Sequence, residues 1–200
     1  NGVVMISPSA TSPGLTALDD KGFFFRTAPS DARGGQILAD ITKDRKVKSV
    51  AITYTNNDYG KGLADVYAAA VKAHGIKVTI VSAHEDGKAD YSSEVATLAS
   101  AGGDAVAVIG YLDQGGKGII QGSLDSGAFD KFILSDGMIG DSLTDAFGKD
   151  LNKSFGSMPG SMNKKTAGTF TTVAKAAGID SSGPYTGESY DAAALIVLAM

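Results

Sequence analysis

Four side chains able to bind a small molecule follow predicted strands: Thr11, Tyr59, Tyr111 and Asp136. Each comes just after an apolar, β-branched run, and ligands of open α/β sheets bind beyond the carboxyl ends of the strands. The four offer hydroxyls, aromatic faces and one carboxylate. They include no second acid, histidine or metal cluster, so they lack the paired groups that general acid–base catalysis uses. The residue types therefore favour binding over catalysis.

Each of these positions also has a structural interpretation. Tyr59 can pack at the start of a helix, and Tyr111 can pack on the rim of the sheet. Asp136 can cap a helix or close a turn. Position in the sequence leaves both interpretations open for all three residues.

The glycine-rich segment GYLDQGGKG (110–118) does not fit a nucleotide phosphate loop. Gly116 interrupts the required spacing before Lys117, and Gly118 stands where a hydroxyl would hold Mg²⁺. The acidic segment HEDGKAD (84–90) does not fit a calcium loop, because Lys88 breaks the alternation of oxygen ligands. We interpret the acidic segment as a solvated turn and predict no metal site.

The two histidines give little support to a Ser-His-carboxylate site. We predict His74 at the C-terminal end of a helix and His84 in a solvated loop. The chain is therefore predicted not to be an enzyme and to need no cofactor.

The composition narrows the classes of partner. A net charge of −4 and a pI near 5.1 leave no basic surplus for nucleic acid, so we predict no nucleic-acid partner. The chain has no cysteine, which excludes disulfides and thiolate sites but fits either redox compartment. The longest apolar run, residues 192–200, is well short of the roughly 20 residues that span a bilayer.

The elements that position the candidate residues alternate regularly. Residues 50–53 are predicted to form a strand, because they are mostly apolar or β-branched. Asn56 to Asp58 suit a turn or helix cap, and apolar residues then recur at helical spacing from Leu63. The later predicted strands are 77–82, 105–110 and 131–135, and the helices between them are 92–100 and 114–126. Strands that alternate with helices of this length predict an α/β fold with a doubly wound parallel sheet.

The two ends of the chain depart from this repeat. Residues 2–6 are predicted to form a buried strand and 23–28 a second extended segment, before a helix capped by Ser30 or Asp31. Beyond Gly137 we predict elements at 142–147, 154–158 and 164–177, and a last helix from about Glu188. Its apolar end, 192–200, has the pattern of a helix buried on all sides.

Six segments of the sequence together resemble a known protein family. They are VMISPSATSP (4–13), FFFRTAPSD (23–31), AITYTNNDYGKGL (51–63), ADYSSEVATLASAGGDAVAVIGY (89–111), FILSDG (132–137) and ESYDAAALIVLAM (188–200). In this order they resemble type I periplasmic binding proteins, the leucine/isoleucine/valine-binding-protein-like receptors of branched-chain-amino-acid-type ABC transporters. In that family two α/β lobes close around an amino acid.

The resemblance implies a division of the chain. Residues 1–28 correspond to the end of the first lobe and a crossover, residues 29–157 to the second lobe, and residues 158–200 to a crossover and an incomplete return into the first lobe. We therefore expect an excerpt of the two-lobed protein. We also expect the chain to associate with itself, because its end segments would lack their first-lobe neighbours.

The resemblance also implies roles for individual residues. Ser9, Ala10 and Thr11 match the first-lobe loop that holds the ligand's carboxylate and ammonium groups. Tyr59 and Tyr111 match second-lobe aromatics that close over the ligand. Asp136 matches the acidic residue placed against the ammonium, where many relatives carry Glu. An ammonium that loses its water needs such a charged acceptor.

The expected function is that of a periplasmic or otherwise extracytoplasmic receptor for a small amino acid, or a related amide or carboxylate. It would close about a hinge and deliver the ligand to the membrane permease of an ABC importer. A ligand-sensing domain of a receptor or an amide-responsive regulator is an alternative of the same fold. An enzyme of doubly wound fold is the alternative from another class.

Overall fold

The chain is built around parallel β-sheets. The structure is a computed structural model, and it describes residues 2–160 and 164–200. The strands are β1 (Met5–Ser7), β2 (Phe24–Arg26), β3 (Ser49–Thr55), β4 (Lys77–His84), β5 (Ala105–Ile109), β6 (Phe132–Leu134) and β7 (Phe155–Gly156). The last five form one sheet in the order β4-β3-β5-β6-β7, with every pair parallel. The strand order reverses between β3 and β5, so the prediction of a doubly wound α/β sheet is confirmed.

Helices cover both faces of the five-stranded sheet. On one face lie α1 (Asp31–Asp44) and α2 (Asp58–Ala73), and on the other lie α3 (Ser92–Ala101), α4 (Gly116–Ser126) and α5 (Asp141–Phe147). Strand β5 is buried along its whole length, with alternate residues entering the two cores. A continuous apolar run such as AVAVI is what a central parallel strand requires.

The connection from β3 to α2 brings the helix back close to the strand. Asn57 caps α2, with its Oδ1 accepting from the Gly60 N–H at 2.9 Å. A Cβ on Gly60 would lie 2.2 Å from the Thr55 carbonyl oxygen, so a side chain does not fit there. The tight return holds Tyr59 at the carboxyl end of the sheet.

The N-terminal segment forms a separate two-stranded parallel sheet of β1 and β2. The prediction of a buried strand at 2–6 is wrong on two counts. The strand lies at Met5–Ser7, and Val3, Val4 and Met5 are 74%, 52% and 60% exposed. The physical reason is that β1 has β2 as its strand partner and contacts α7 (Thr186–Ala199), which leaves its other sides open.

The C-terminal helices are α6 (Lys164–Ala176) and α7. The expected burial of residues 192–200 on all sides is wrong for this chain, because Val197 and Leu198 are 70% and 83% exposed. Ala192 is buried and faces the rest of the chain. None of the helices among the described residues has the length and apolar character needed to cross a bilayer.

His84 corrects a prediction about the acidic segment. Strand β4 continues to His84, and this histidine is only 1% exposed, with its Nδ1 2.9 Å from Thr53 Oγ1. Burial lowers its pKa, and nearby acids, Asp86 first, oppose this shift. His84 is therefore a buried residue of the sheet and not a solvated loop residue. His74 follows the last turn of α2, as predicted.

Candidate functional site

Three of the predicted site residues meet at the carboxyl end of the five-stranded sheet. Tyr59 follows β3, Tyr111 follows β5 and Asp136 follows β6. The Tyr59 hydroxyl donates to Asp136 Oδ1 at 2.6 Å and lies 3.1 Å from Ser135 Oγ. The rings of Tyr59 and Tyr111 are 5.3 Å apart between centroids and tilted by 30°. The cluster flanks the reversal of strand order, where doubly wound sheets bind ligands.

A glycine makes this close arrangement possible. A Cβ on Gly137 would lie 2.3 Å from the Gly110 carbonyl oxygen and 3.2 Å from the Tyr59 hydroxyl. The backbone after β6 therefore packs directly against the end of β5. This contact sets the distance from Asp136 to the two tyrosines.

Tyr185 is a member of the cluster that the sequence analysis missed. Its hydroxyl donates to Asp136 Oδ2, so a different phenol satisfies each oxygen of this carboxylate. Tyr185 adopts a left-handed backbone conformation with φ 62°, which is uncommon for a non-glycine residue. No local pattern marks it, because it lies 49 residues from Asp136 in a loop before α7.

The phenols remain hydrogen-bond donors at neutral pH. Burial, followed by the negative charge of Asp136, raises the pKa of both Tyr59 and Tyr185. Burial likewise raises the pKa of Tyr111. Neutral hydroxyls can stabilise the Asp136 carboxylate without cancelling its charge.

The loop after β1 places Thr11 beside the first turn of α1. Thr11 is 2% exposed, its carbonyl accepts from the Asp31 N–H at 2.9 Å, and its hydroxyl lies close enough to Asp31 to act on that carboxyl. Ala10 is half-buried and Ser9 is exposed, and both donate their N–H groups to Ser7 Oγ. In this chain Ser9 and Ala10 form no hydrogen bond to the tyrosine cluster.

Asp31 is a second acid at the site, so the expectation of a lone carboxylate is wrong. It is 5% exposed, and its Oδ2 has no hydrogen-bond partner among the described residues. Burial raises its pKa to about 6; the Thr11 hydroxyl opposes this rise, the charge of Asp136 adds to it, and Arg26 opposes it. The sequence analysis considered Asp31 only as a helix cap, and Ser30 is the residue that caps α1.

Asp31 and Asp136 line one small cavity of ≈ 100 Å³, together with Ser135 and apolar side chains of α1 and α2. A wider cavity of ≈ 700 Å³ lies on the other side of Pro29 and Met158, between α6 and the start of α7. Tyr185 lines the wider cavity and donates to Asp136. Its side chain therefore links the wider cavity to a residue that lines the smaller one.

The site is rich in acceptors and poor in cations. The two buried carboxylates line the same small cavity, the Thr11 hydroxyl acts on Asp31, and Arg26 is the positive group that acts on Asp31. Buried charges require a partner of opposite sign, so the arrangement suits a bound ammonium group. Among the residues that the structure describes, no three His, Cys, Asp or Glu side chains form a metal-binding group.

Comparison with known proteins places these features in context. The family described as "Receptor family ligand binding region" matches residues 1–199. The Leu/Ile/Val-binding protein homolog 3 of Brucella melitensis is 39% identical over 117 residues, which are 58% of this chain and 32% of that protein. The Leu/Ile/Val-binding protein homolog 2 of Brucella abortus is 33% identical over 151 residues, 74% of this chain and 40% of that protein.

Solved structures share the fold. A type 1 periplasmic binding protein from Bordetella pertussis matches with a TM-score of 0.73 and 22% identity, over 86% of this chain and 48% of that one. The leucine-binding protein LivK of Thermotoga maritima matches with a TM-score of 0.68 and 20% identity, over 85% of this chain and 50% of that one. The chain thus spans about half of these structures and 32% to 40% of the curated relatives' lengths.

Proposed function

This chain belongs to the family described as "Receptor family ligand binding region", and we propose that it forms part of an extracytoplasmic receptor. The receptor would capture a small amino acid, or a related amide or carboxylate. The observation that carries the proposal is the pair of buried carboxylates, Asp31 and Asp136, which line the same small cavity. A ligand ammonium would supply the missing positive charge. The names of the relatives, Leu/Ile/Val-binding proteins, support an amino acid as the ligand class.

Each predicted site residue has a role in this proposal. Ser9, Ala10 and Thr11 provide backbone groups and a hydroxyl for the two charged ends of the ligand. Tyr59 and Tyr111, with rings 5.3 Å apart, form an aromatic wall. Asp136 accepts from the ammonium. The geometry adds Tyr185, which reaches Asp136 from the C-terminal segment.

The mechanism that we propose is closure of two lobes about a hinge. In this division residues 1–28 belong to the end of one lobe, 29–157 to the second lobe, and 158–200 to the return. Thr27 supports this division, because its Oγ1 donates to the Glu188 carbonyl at 2.9 Å and so joins the first segment to the last. Tyr185 donates to Asp136 and so links the last segment to the second lobe. A ligand held between the lobes would shift the population toward the closed form.

The proposed partner of the closed form is the membrane permease of an ABC importer, and the proposed location is the periplasm. A structural match described as an ABC transporter substrate-binding protein, from Desulfitobacterium hafniense, supports this partner with a TM-score of 0.68. The family description names receptors, which supports a ligand-sensing domain as a second candidate. In either role the chain would bind and would not catalyse.

We also propose that the isolated 200-residue chain associates with a second copy. Val3 and Val4, just before β1, and Met5 at its start are exposed, and Val197 and Leu198 are exposed on α7. Strand β1 contacts α7, so we treat these exposed apolar side chains together as one candidate surface. A second copy could cover it through a symmetric interface.

The test of ligand capture uses the full-length protein that contains this chain. Native mass spectrometry would identify a co-purifying ligand, and calorimetry with L-leucine, L-isoleucine, L-valine and other amino acids would measure affinity. Asp136→Ala should weaken binding by about 2 to 5 kcal/mol, as expected when one side of a buried charge pair is removed. Asp145→Asn, on the exposed face of α5, is the matched control and should bind normally. Unchanged affinity in Asp136→Ala would contradict the assignment.

A further inference from the structure

We infer that Arg26 is a positioning residue for ligand binding: it fixes the peptide plane between Ala10 and Thr11 so that the Thr11 N–H faces the anionic end of the ligand. The inference rests on the proposed function of the same site. Arg26 lies on β2, outside the five-stranded sheet, and its side chain crosses to the loop after β1. It does not itself need to touch the ligand.

The guanidinium holds the loop at three points. Nη1 donates to the Ala10 carbonyl at 3.2 Å and to the Ser12 carbonyl at 2.9 Å, so it bonds to the backbone on both sides of Thr11. Nη2 donates to Thr16 Oγ1 at 2.6 Å, within the 3₁₀ turn that follows. A planar guanidinium suits this task because its donors point in fixed, divergent directions.

Because the peptide bond is planar, fixing the Ala10 carbonyl also fixes the direction of the Thr11 N–H. The Ala10 carbonyl and the Thr11 N–H belong to one trans peptide, so they point in opposite directions. Because the carbonyl faces Arg26, the Thr11 N–H faces away from it. The same reasoning applies to the next peptide, in which the Thr11 carbonyl accepts from the Asp31 N–H and the Ser12 N–H is turned away from α1.

Neither of these N–H groups has a partner in the part of the chain that the structure describes. The structure shows no hydrogen bond from the N–H of Thr11 or of Ser12 to any residue in 2–160 or 164–200. Buried backbone donors are nearly always paired. Thr11 is buried, Ser12 is half-buried, and the Thr11 carbonyl bonds to Asp31, which lines the small cavity, so an acceptor from outside the chain could pair these two donors. A carboxylate can accept hydrogen bonds from two N–H groups, and the amino acid proposed as the ligand of this chain carries a carboxylate.

The inference can be tested in two independent arms, on the full-length protein with Arg26→Gln, Arg26→Lys and the control Arg45→Gln. Arg45 lies at the far end of α1, over the Phe155 ring. The first arm is hydrogen exchange without ligand. Arg26→Gln should raise exchange in residues 9–17 and leave residues 105–109 of β5 unchanged, whereas Arg45→Gln should leave residues 9–17 protected.

The second arm compares the affinities of L-leucine and L-leucinamide, which differ in the charge of the carboxyl end. Arg26→Gln should weaken L-leucine binding by about tenfold, the effect of losing one hydrogen bond to a charged group, and weaken L-leucinamide binding much less. Arg26→Lys keeps the positive charge near Asp31 but loses the planar guanidinium with its several N–H donors. It should therefore not restore the full affinity.

Different failures have different meanings. Unchanged exchange in residues 9–17 of Arg26→Gln would overturn the positioning role, whether or not any ligand binds. Equal losses for the two probes, or full rescue by Arg26→Lys, would overturn it in favour of a charge effect on Asp31. If the wild-type protein binds neither probe nor any other amino acid, the proposed function fails, and the exchange arm still decides the role of Arg26.

Discussion

Asp31 should destabilise the ligand-free protein at neutral pH, and removal of its charge should therefore stabilise it. The carboxyl is 5% exposed, and one oxygen has no hydrogen-bond partner among the described residues. Burial raises its pKa from 3.8 to about 6. The folded state therefore holds the proton more tightly than the unfolded state does, and stability falls as the pH rises from about 4 to about 6.

The size of the effect follows from the shift in pKa. A difference of about 2 pKa units, at about 1.4 kcal/mol each, corresponds to a cost of about 3 kcal/mol above pH 6. Asp31→Asn removes this cost but also removes a negative charge from the first turn of α1, worth about 0.3 to 1 kcal/mol. We expect a net gain of about 2 kcal/mol in the free energy of unfolding at about pH 7.5.

Urea unfolding of wild type and Asp31→Asn at about pH 7.5 and about pH 4.5 measures this difference. The variant should be more stable at the higher pH, and the two proteins should converge at the lower pH because wild-type Asp31 is then protonated. Asp145→Asn controls for the loss of a surface carboxylate. A variant that is less stable than wild type at the higher pH, or a gap that does not depend on pH, would refute the reasoning.

Three other predictions concern the tyrosine cluster, its glycine and the exposed apolar surface. Tyr59→Phe keeps the ring but removes the 2.6 Å bond to Asp136, so ligand affinity should fall and the ligand-free protein should lose about 1.5 to 3 kcal/mol of stability; calorimetry and urea unfolding would measure the two effects, and no change in either would contradict the role of this bond. Gly137→Ala should lower stability, because its Cβ would lie 2.3 Å from a backbone oxygen of Gly110, whereas Gly168→Ala has nothing within 4 Å in α6 and should gain up to about 1 kcal/mol. Equal urea midpoints for the two glycine variants would contradict the close-approach argument. Light scattering should show self-association of the isolated 200-residue chain, weakened by Val197→Lys and Leu198→Lys; a strictly monomeric wild-type chain would contradict the proposed interface.

The five-stranded sheet was predictable because its signals are local. The strand at 105–109 is a continuous apolar run, and Asn57 and Gly60 mark the turn that starts α2. Hydrophobic periodicity and helix capping depend on residues close together in the chain, so both can be recognised in the sequence without knowledge of the fold. Tyr59, Tyr111 and Asp136 each follow one of these strands, so they were expected at the carboxyl edge of the sheet, where ligands bind.

The rest of the site depends on contacts between distant segments. Tyr185 reaches Asp136 across 49 residues, and its left-handed backbone has no sequence marker in a tyrosine. Asp31 looks like a helix cap because it begins α1, and only burial beside Thr11 shows that it is a second acid. His84 was mistaken for a loop residue because its acidic neighbours conceal the end of an edge strand.

The two carboxylates differ in a way that links stability to binding. Asp136 accepts a hydrogen bond from a phenol on each oxygen before any ligand arrives. Asp31 has an unpartnered oxygen, and its ionised form is unfavourable in the ligand-free fold. An arriving ammonium would therefore gain most from Asp31, because it would relieve a cost that the empty site already carries. It follows that Asp31→Asn should stabilise the ligand-free protein and weaken ligand binding at the same time, whereas a mutation that only disturbed packing would reduce both.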